Sequence, residues 1–285
     1  MCCRAHLEQS LALFDPIRHR SMQSDVAQAR GHSLEYLSLV LVPLGYSDQA
    51  NLRYQEARAE TQLLIAANPR AVRISAGYFN GCVSQHLRRD VDRTSECADL
   101  LIEFARQNGL GPWAAAGKIW QGWVRFGRGE VEGALAQMRE GLAEFRAAGT
   151  PHVLYYFIML LADVEARLGF RQEGLAHQAE ASMLQDSLAA GGFACDLLRI
   201  KGELLALSED PTGAEACFRQ SIALAREQEA PMWELRSAVG LARLWAAHGR
   251  RAEIRDLVAP IYSRFSEGFD TPDLVDAKAL LDETA

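Results

Sequence analysis

Residues 198–221, LRIKGELLALSEDPTGAEACFRQS, hold two helical patterns on either side of a short polar break. The first carries Leu198 and Leu205 around a small residue, Gly202, and the second runs Ala214, Phe218, Ser221. Glu209-Asp210-Pro211 lies between them, where proline suits the first turn of a new helix. The same arrangement returns outward at a fixed interval. Gly129, Gly169 and Gly249 stand forty residues apart, or twice that, and Glu209 fills the missing slot. Five positions after each comes the opening of an apolar helix, at Ala134, Gly174, Ala214 and Ile254. An internal period of this length is the signature of stacked helix pairs, each packing only on its neighbours.

A small residue recurs seven positions before each break, at Ser38, Cys82, Gly122, Ala162, Gly202 and Ala242. Two helix backbones approach most closely there, and a large side chain would overpack the contact. A larger residue four positions after the helix-opening one (Tyr54, Met138, Phe218) is placed to wedge between pairs. One interval is irregular: Gly45 to Arg89 is forty-four residues, which predicts a longer helix or loop there. Pro43 should bend its helix or stop it early.

The frame predicts one all-α unit over 1–285, a right-handed superhelix of antiparallel helix pairs. Residues 1–16 form a partial first repeat, 17–31 a link, 32–267 six helix pairs and 268–285 a C-terminal capping helix, opened by Asp270-Thr271-Pro272. The 285 residues are 49% hydrophobic, ample for an extended core, and the net charge of -7 comes without any long basic run. Nucleic acid is therefore not an expected partner. No run of eighteen apolar residues is present, so no membrane span is expected, and the polar stretch from Arg4 to Ser10 interrupts any N-terminal apolar region, so no signal peptide is expected and the reading is cytoplasmic.

Six cysteines make no CxxC pair, and Cys82, Cys97, Cys195 and Cys217 fall at helical positions suited to a small core residue. Seven histidines lack a metal-binding spacing, and no metal or cofactor is expected. His19, between two arginines, reads as a solvated or phosphate-facing loop, and Arg88-Arg89 as a solvated turn pair. The acid pairs Glu130/Glu132 and Glu209/Asp210 sit where helices begin, and capping accounts for them. No catalytic constellation emerges, so the chain reads as no enzyme.

The repeat residues resemble the tetratricopeptide family, whose pattern is a small residue in the first helix, a turn glycine, and Ala-x3-aromatic-x2-Ala in the second. Ala50-x3-Tyr54-x2-Ala57 fits fully, while Ala214-x3-Phe218-x2-Ser221 and Ala134-x3-Met138-x2-Gly141 fit with substitutions. The period of forty, against the family's thirty-four, makes the chain tetratricopeptide-like. Residues 198–205 and 214–221, the tail Phe265-Ser266-Glu267-Gly268-Phe269-Asp270-Thr271-Pro272-Asp273-Leu274, and Asp15-Pro16-Ile17-Arg18-His19-Arg20 are similar to the C-terminal repeat region of bacterial signalling AAA/STAND-type ATPases and adenylate/guanylate cyclase-containing proteins. The likeness departs at Ser24 to Ser33. It implies a sensor or scaffold attached to an ATPase or cyclase output domain. The chain itself has no GxxxxGK[ST] loop and no recognisable cyclase core, so those activities are not carried over.

Positions three, six and ten before each turn should face the inside of the superhelix. They, with residues one turn earlier, supply the candidates Phe79, His86, Trp123, Phe126, Tyr156, Asp163, Arg199, Glu203, Arg236 and Arg243. One end of the groove is then aromatic and the other charged, suited to anchoring a protein or peptide segment and pairing its acidic groups. A non-catalytic interaction or scaffold module follows. The alternatives are a small-molecule sensor and an unrecognised enzyme on a helical scaffold. Helical arrays also dimerise through their ends, so a homodimer is a further expectation.

Overall fold

The computed structural model describes residues 2–15, 17–18, 28–68, 73–149, 152–188, 191–208 and 210–284. Pro16, His19 and Glu209, each given a role by the sequence frame, lie outside the described residues. Those described form α-helices with one short 3-10 turn and no strand. Helix α1 is Cys2–Leu13, and the pairs follow as α2 (Ala29–Leu41) with α3 (Ser47–Ala67), α4 (Arg73–Leu87) with α5 (Val91–Gln107), and α6 (Gly111–Gly127) with α7 (Val131–Ala147). Then come α8 (Leu154–Arg167) with α9 (Arg171–Ser187), α10 (Ala194–Ala206) with α11 (Pro211–Glu227), α12 (Pro231–Ala247) with α13 (Ala252–Tyr262), and finally α14 (Pro272–Asp282).

Each pair is an antiparallel hairpin, and the first helices α2, α4, α6, α8, α10 and α12 also pack on one another in succession, ending on α14. This is the tetratricopeptide-like superhelix, with first helices inside and second helices outside. The small position works as the spacing requires. A Cβ on Gly122 would lie 2.5 Å from Met138 Cγ and 2.9 Å from the Ala134 carbonyl oxygen. On Gly202 it would meet the Phe218 ring at 2.9 Å, and on Gly240 in the next pair the same ring at 2.6 Å. Phe218 is thus the wedge between two pairs. Tyr54 does the same against Gly81, and its hydroxyl reaches Cys97 Sγ at 2.9 Å.

The irregular interval is a helix effect. Helix α3 has 21 residues where α5, α7, α9 and α11 have 17, so four residues add about one turn. Helix α2 stops at Leu41, two residues before Pro43; Val42 keeps helical dihedrals (φ -62°, ψ -56°), and the ladder ends because proline has no amide hydrogen to continue it. Cys82, Cys97, Cys195 and Cys217 are buried and unbridged. Capping differs from expectation at two helices. Thr271 donates its hydroxyl to the Gly268 carbonyl (2.6 Å) and leaves the α14 amides alone. Glu130 makes no cap and accepts from Arg125 Nε at 3.3 Å, whereas Asp210 does cap, accepting from the Gly213 amide at 2.9 Å.

The superhelix curves so tightly that first helices two pairs apart touch: Phe79 of α4 meets Phe157 of α8 edge-on at 6.0 Å. It therefore comes round on itself. The Met232 amide at the start of α12 donates to the Pro43 carbonyl at 3.1 Å. Glu267, after α13, accepts from the amides of Asp48 and Gln49 at 3.0 and 3.1 Å, and the Gly268 amide returns a bond to Asp48 Oδ2 at 3.2 Å. Gly45 is required at this seam. Its φ of 85° is unfavourable for other residues, and a Cβ would lie 3.0 Å from the Phe265 ring. Arg88 and Arg89 belong to the seam rather than to solvent, correcting the sequence expectation. Arg88 Nε lies 3.2 Å from both the carbonyl and the hydroxyl of Ser47, and Arg89 reaches across to α14.

Two glycine substitutions separate close packing from chain flexibility. Gly122→Ala forces Met138 and the Ala134 carbonyl apart and should cost about 1–3 kcal/mol. Gly192→Ala, where φ is not positive and a Cβ would meet nothing within 4 Å beyond its chain neighbours, should raise stability by about 0.5 kcal/mol through the unfolded state. Urea unfolding of the two variants beside wild type measures both; equal midpoints would contradict the hairpin packing.

Candidate functional site

Because the array closes, its inner face forms a cavity of about 440 Å³ that stays partly open to solvent. Apolar walls come from Trp123 of α6, Met159 of α8, Ile200 of α10, and Leu235, Val239 and Leu244 of α12. Except for Leu235, one helical turn earlier, these are the slots six and ten residues before each turn, or next to them, where successive first helices expose the same stripe to the axis.

Across these walls runs a chain of alternating charges. Arg167 Nε meets Asp163 Oδ2 at 3.0 Å, and Asp163 Oδ1 accepts from Arg199 Nη2 at 2.8 Å. Arg199 also binds Asp196 at 2.9 Å and Glu203 at 2.8 Å. Arg236 Nη1 lies 3.9 Å from Asp196 Oδ2, while its Nη2 donates to Asp273 Oδ2 at 2.7 Å and to the Leu87 carbonyl. Arg89 bridges Asp273 and Asp276 at 3.2 and 3.1 Å, and Arg243 closes the chain on Asp276 at 3.3 Å. Helix α8, helix α10, helix α12, helix α14 and the α4–α5 turn are thereby tied together by one network.

Burial makes these pairings consequential. Desolvation would push the Asp163 carboxyl up, but Arg167 and Arg199 outweigh it and hold it below its usual range. Asp273 is held down in the same way by Arg236 and Arg89. Burial opposes the charge on Arg199, yet Glu203, Asp163 and Asp196 together raise its pKa well above normal. Such pairs gain little over apolar packing, but losing one partner strands a buried charge. His86 behaves oppositely. Desolvation, with Arg236, Arg167 and Arg199 nearby, lowers it to about 3 against the pull of Asp163. Its Nδ1 shares a 2.7 Å hydrogen bond with the Tyr156 hydroxyl, and its ring stands edge-on to Trp123 at 4.8 Å.

Of the ten sequence candidates, His86, Trp123, Asp163, Arg199, Glu203, Arg236 and Arg243 line the cavity. Phe79, Phe126 and Tyr156 do not. Phe79 is packed edge-on between Trp113 (5.4 Å) and Phe157, Phe126 rests against the core, and Tyr156 lies behind His86, 3% exposed. Of the expected aromatic end, His86 and Trp123 remain at the cavity, while Phe79 and Tyr156 are buried where α4, α6 and α8 converge. Sequence reasoning missed Arg89, Asp196, Asp273 and Asp276. Arg89 had a signal: it occupies a turn slot otherwise given to glycine, and its φ is 59°, a conformation that costs about 1 kcal/mol or more without a compensating contact.

These shifts predict how stability responds to acid. The folded protein keeps His86 neutral down to about 3, while the unfolded chain takes up that proton near 6.5. Between those values the unfolded state holds more protons, so stability falls as pH falls, by up to about 1.4 kcal/mol per pH unit. The depressed Asp163 and Asp273 contribute fully above their ordinary value of 3.8 and lose that contribution as pH drops further. Urea midpoints measured from pH 8 to 2 should show the first phase and the onset of the second, and His86→Gln should flatten the upper one alone.

No protein-family model matches the chain, and no curated protein matches it either. Solved structures do. RapI, in its apo form, superposes with a TM-score of 0.51 at 11% identity, over 89% of this chain and 96% of its own. Yeast Tom70 gives 0.54 at 12% identity over 99% of this chain, which spans 59% of Tom70. At such identities the likeness is one of fold: the chain has the helical-repeat superhelix of these proteins.

Proposed function

We propose that the protein is a non-catalytic binding module that takes a short acidic segment of a partner protein into the central cavity. The observation that carries this reading is the distribution of accessible charge. The cavity's carboxylates Asp163, Asp196 and Asp273 are at most 10% exposed and already paired, while Arg243 and Arg167 stand 61% and 40% exposed at its edge. Asp276 and Glu203 are less open, at 35% and 30%. An arriving carboxylate therefore meets arginine first, and apolar side chains behind it can settle against Trp123 and Val239.

Enzymatic chemistry has less support. His86 is bonded to Tyr156, the acids are held by arginines, and no Ser, Cys or Lys is among the described residues lining the cavity. A small-molecule effector is the second reading, favoured by a volume of about 440 Å³, within the span of ligand pockets. An attached ATPase or cyclase output domain, and a homodimer built through the array ends, fit the same reading as partners. No described helix is long and apolar enough to cross a membrane.

Peptides selected from a random display library on the wild-type protein, measured by calorimetry, test the proposal. Val239→Trp fills the cavity and should weaken their binding at least about tenfold, a loss of about 1.4 kcal/mol. Arg243→Ala should weaken acidic peptides by a similar factor and spare neutral ones. Undiminished affinity in folded Val239→Trp protein would place the binding surface elsewhere. A non-peptide mass retained in native mass spectrometry, and lost in Val239→Trp, would favour the effector.

A further inference from the structure

The seam that closes the ring is built differently from every other junction in the molecule. Between neighbouring pairs, helices lie along one another and bury apolar stripes. Across the seam no extensive helix-on-helix packing joins the N-terminal helices α2 to α5 to α12, α13 or α14. Turns and side chains meet there instead, through the bonds of Met232 to Pro43, Glu267 to Asp48 and Gln49, Gly268 to Asp48, Arg236 to Leu87, and Arg89 to α14. Phe265 and Pro231 close on Gly45 as apolar contacts of the junction. Junctions held by hydrogen bonds between turns, without helix lying on helix, are the ones that open below the free energy of global unfolding.

Three of those groups answer local needs as well. The amides of Asp48 and Gln49 belong to the first turn of α3, which has no intrahelical acceptor for them, and Tyr46 at the N-cap provides no side-chain cap. Glu267, 219 residues away from Asp48, supplies it. The amide of Met232 is in the same position on α12 and finds Pro43. Release of the seam therefore exposes orphan amides to water, which hydrates them, and leaves the repeat packing untouched.

We infer that the seam is a gate: residues 231–236 and 265–276 part from the turns at 43–49 and 87–89 as one unit, without unfolding the helix pairs, and widen the mouth of the cavity. As a route of ligand entry this rests on the reading of the cavity as a binding site; the opening itself does not. Asp273 and Asp276 hold the closed form, because Arg89 on one side and Arg236 and Arg243 on the other share them.

Amide hydrogen exchange on the full chain, resolved by residue, tests the gate. The amides of Asp48, Gln49, Met232 and Gly268 should exchange together, about a hundredfold faster than those of Leu160 and Ala162 in α8. Glu267→Ala should speed Met232 about tenfold although its own acceptor is Pro43, with α8 unchanged. Asp276→Asn, which leaves the helix caps intact, should act the same way more weakly. Seam amides as slow as α8 in wild type would overturn the gate, as would a Met232 rate indifferent to Glu267→Ala. An equal acceleration of α8 in both variants would also overturn it, since the opening would then be global unfolding. None of these failures touches the cavity reading, which the Val239→Trp comparison decides.

Discussion

A buried carboxylate held by two arginines from opposite ends of the chain is the constraint on which the architecture depends. Asp273 is 7% exposed and receives Arg89 from the α4–α5 turn and Arg236 from α12. A charge taken that far out of water is tolerable only with its partners in place. The position of α14, the start of α12 and the α4–α5 turn are therefore set by one another. A superhelix that would otherwise stay open along one side becomes a ring.

That closure converts a surface into a site. An open helical array offers a long groove suited to extended segments. Here the first helices crowd together at one level, where Phe79 reaches Phe157, and spread around a cavity of about 440 Å³ at another. The volume admits a few side chains and excludes a long strand. Inside it nearly every charge already has a partner, so an incoming group must compete with aspartates supplied by the protein itself. Affinity is then set by differences between similar ion pairs, which favours selectivity over strength.

The unequal construction of the ring has consequences for its dynamics. Apolar interdigitation of the kind made by Phe218 between Gly202 and Gly240 is intolerant of displacement. Hydrogen bonds between turns are not, because water replaces them at modest net cost. Motion belongs at the seam for that reason, and the repeats move with it as a rigid body.

The hairpins and their close contacts were legible in the sequence. The forty-residue frame, the small residues at Ser38, Cys82, Gly122, Ala162, Gly202 and Ala242, and the wedge at Phe218 follow from rules acting over one or two helices. The four extra residues between Gly45 and Arg89 announced a longer element, and they lengthen α3. The inner-face projection placed Trp123, Asp163, Arg199, Glu203 and Arg243 at the cavity by the same logic. It misplaced Phe79, Phe126 and Tyr156 because periodicity says which stripe faces inward but not how much room the curvature leaves there. Arg88-Arg89 looked solvated, and Asp273 and Asp276 looked like part of a terminal cap, because their partners lie far away in the chain. By itself the sequence determined the repeat, since each hairpin needs only its neighbour to bury its apolar face. Only the tertiary structure decided that the array closes, because small rotations accumulate over the four pairs between Arg89 and Asp273 before the two meet, and no local pattern records their sum.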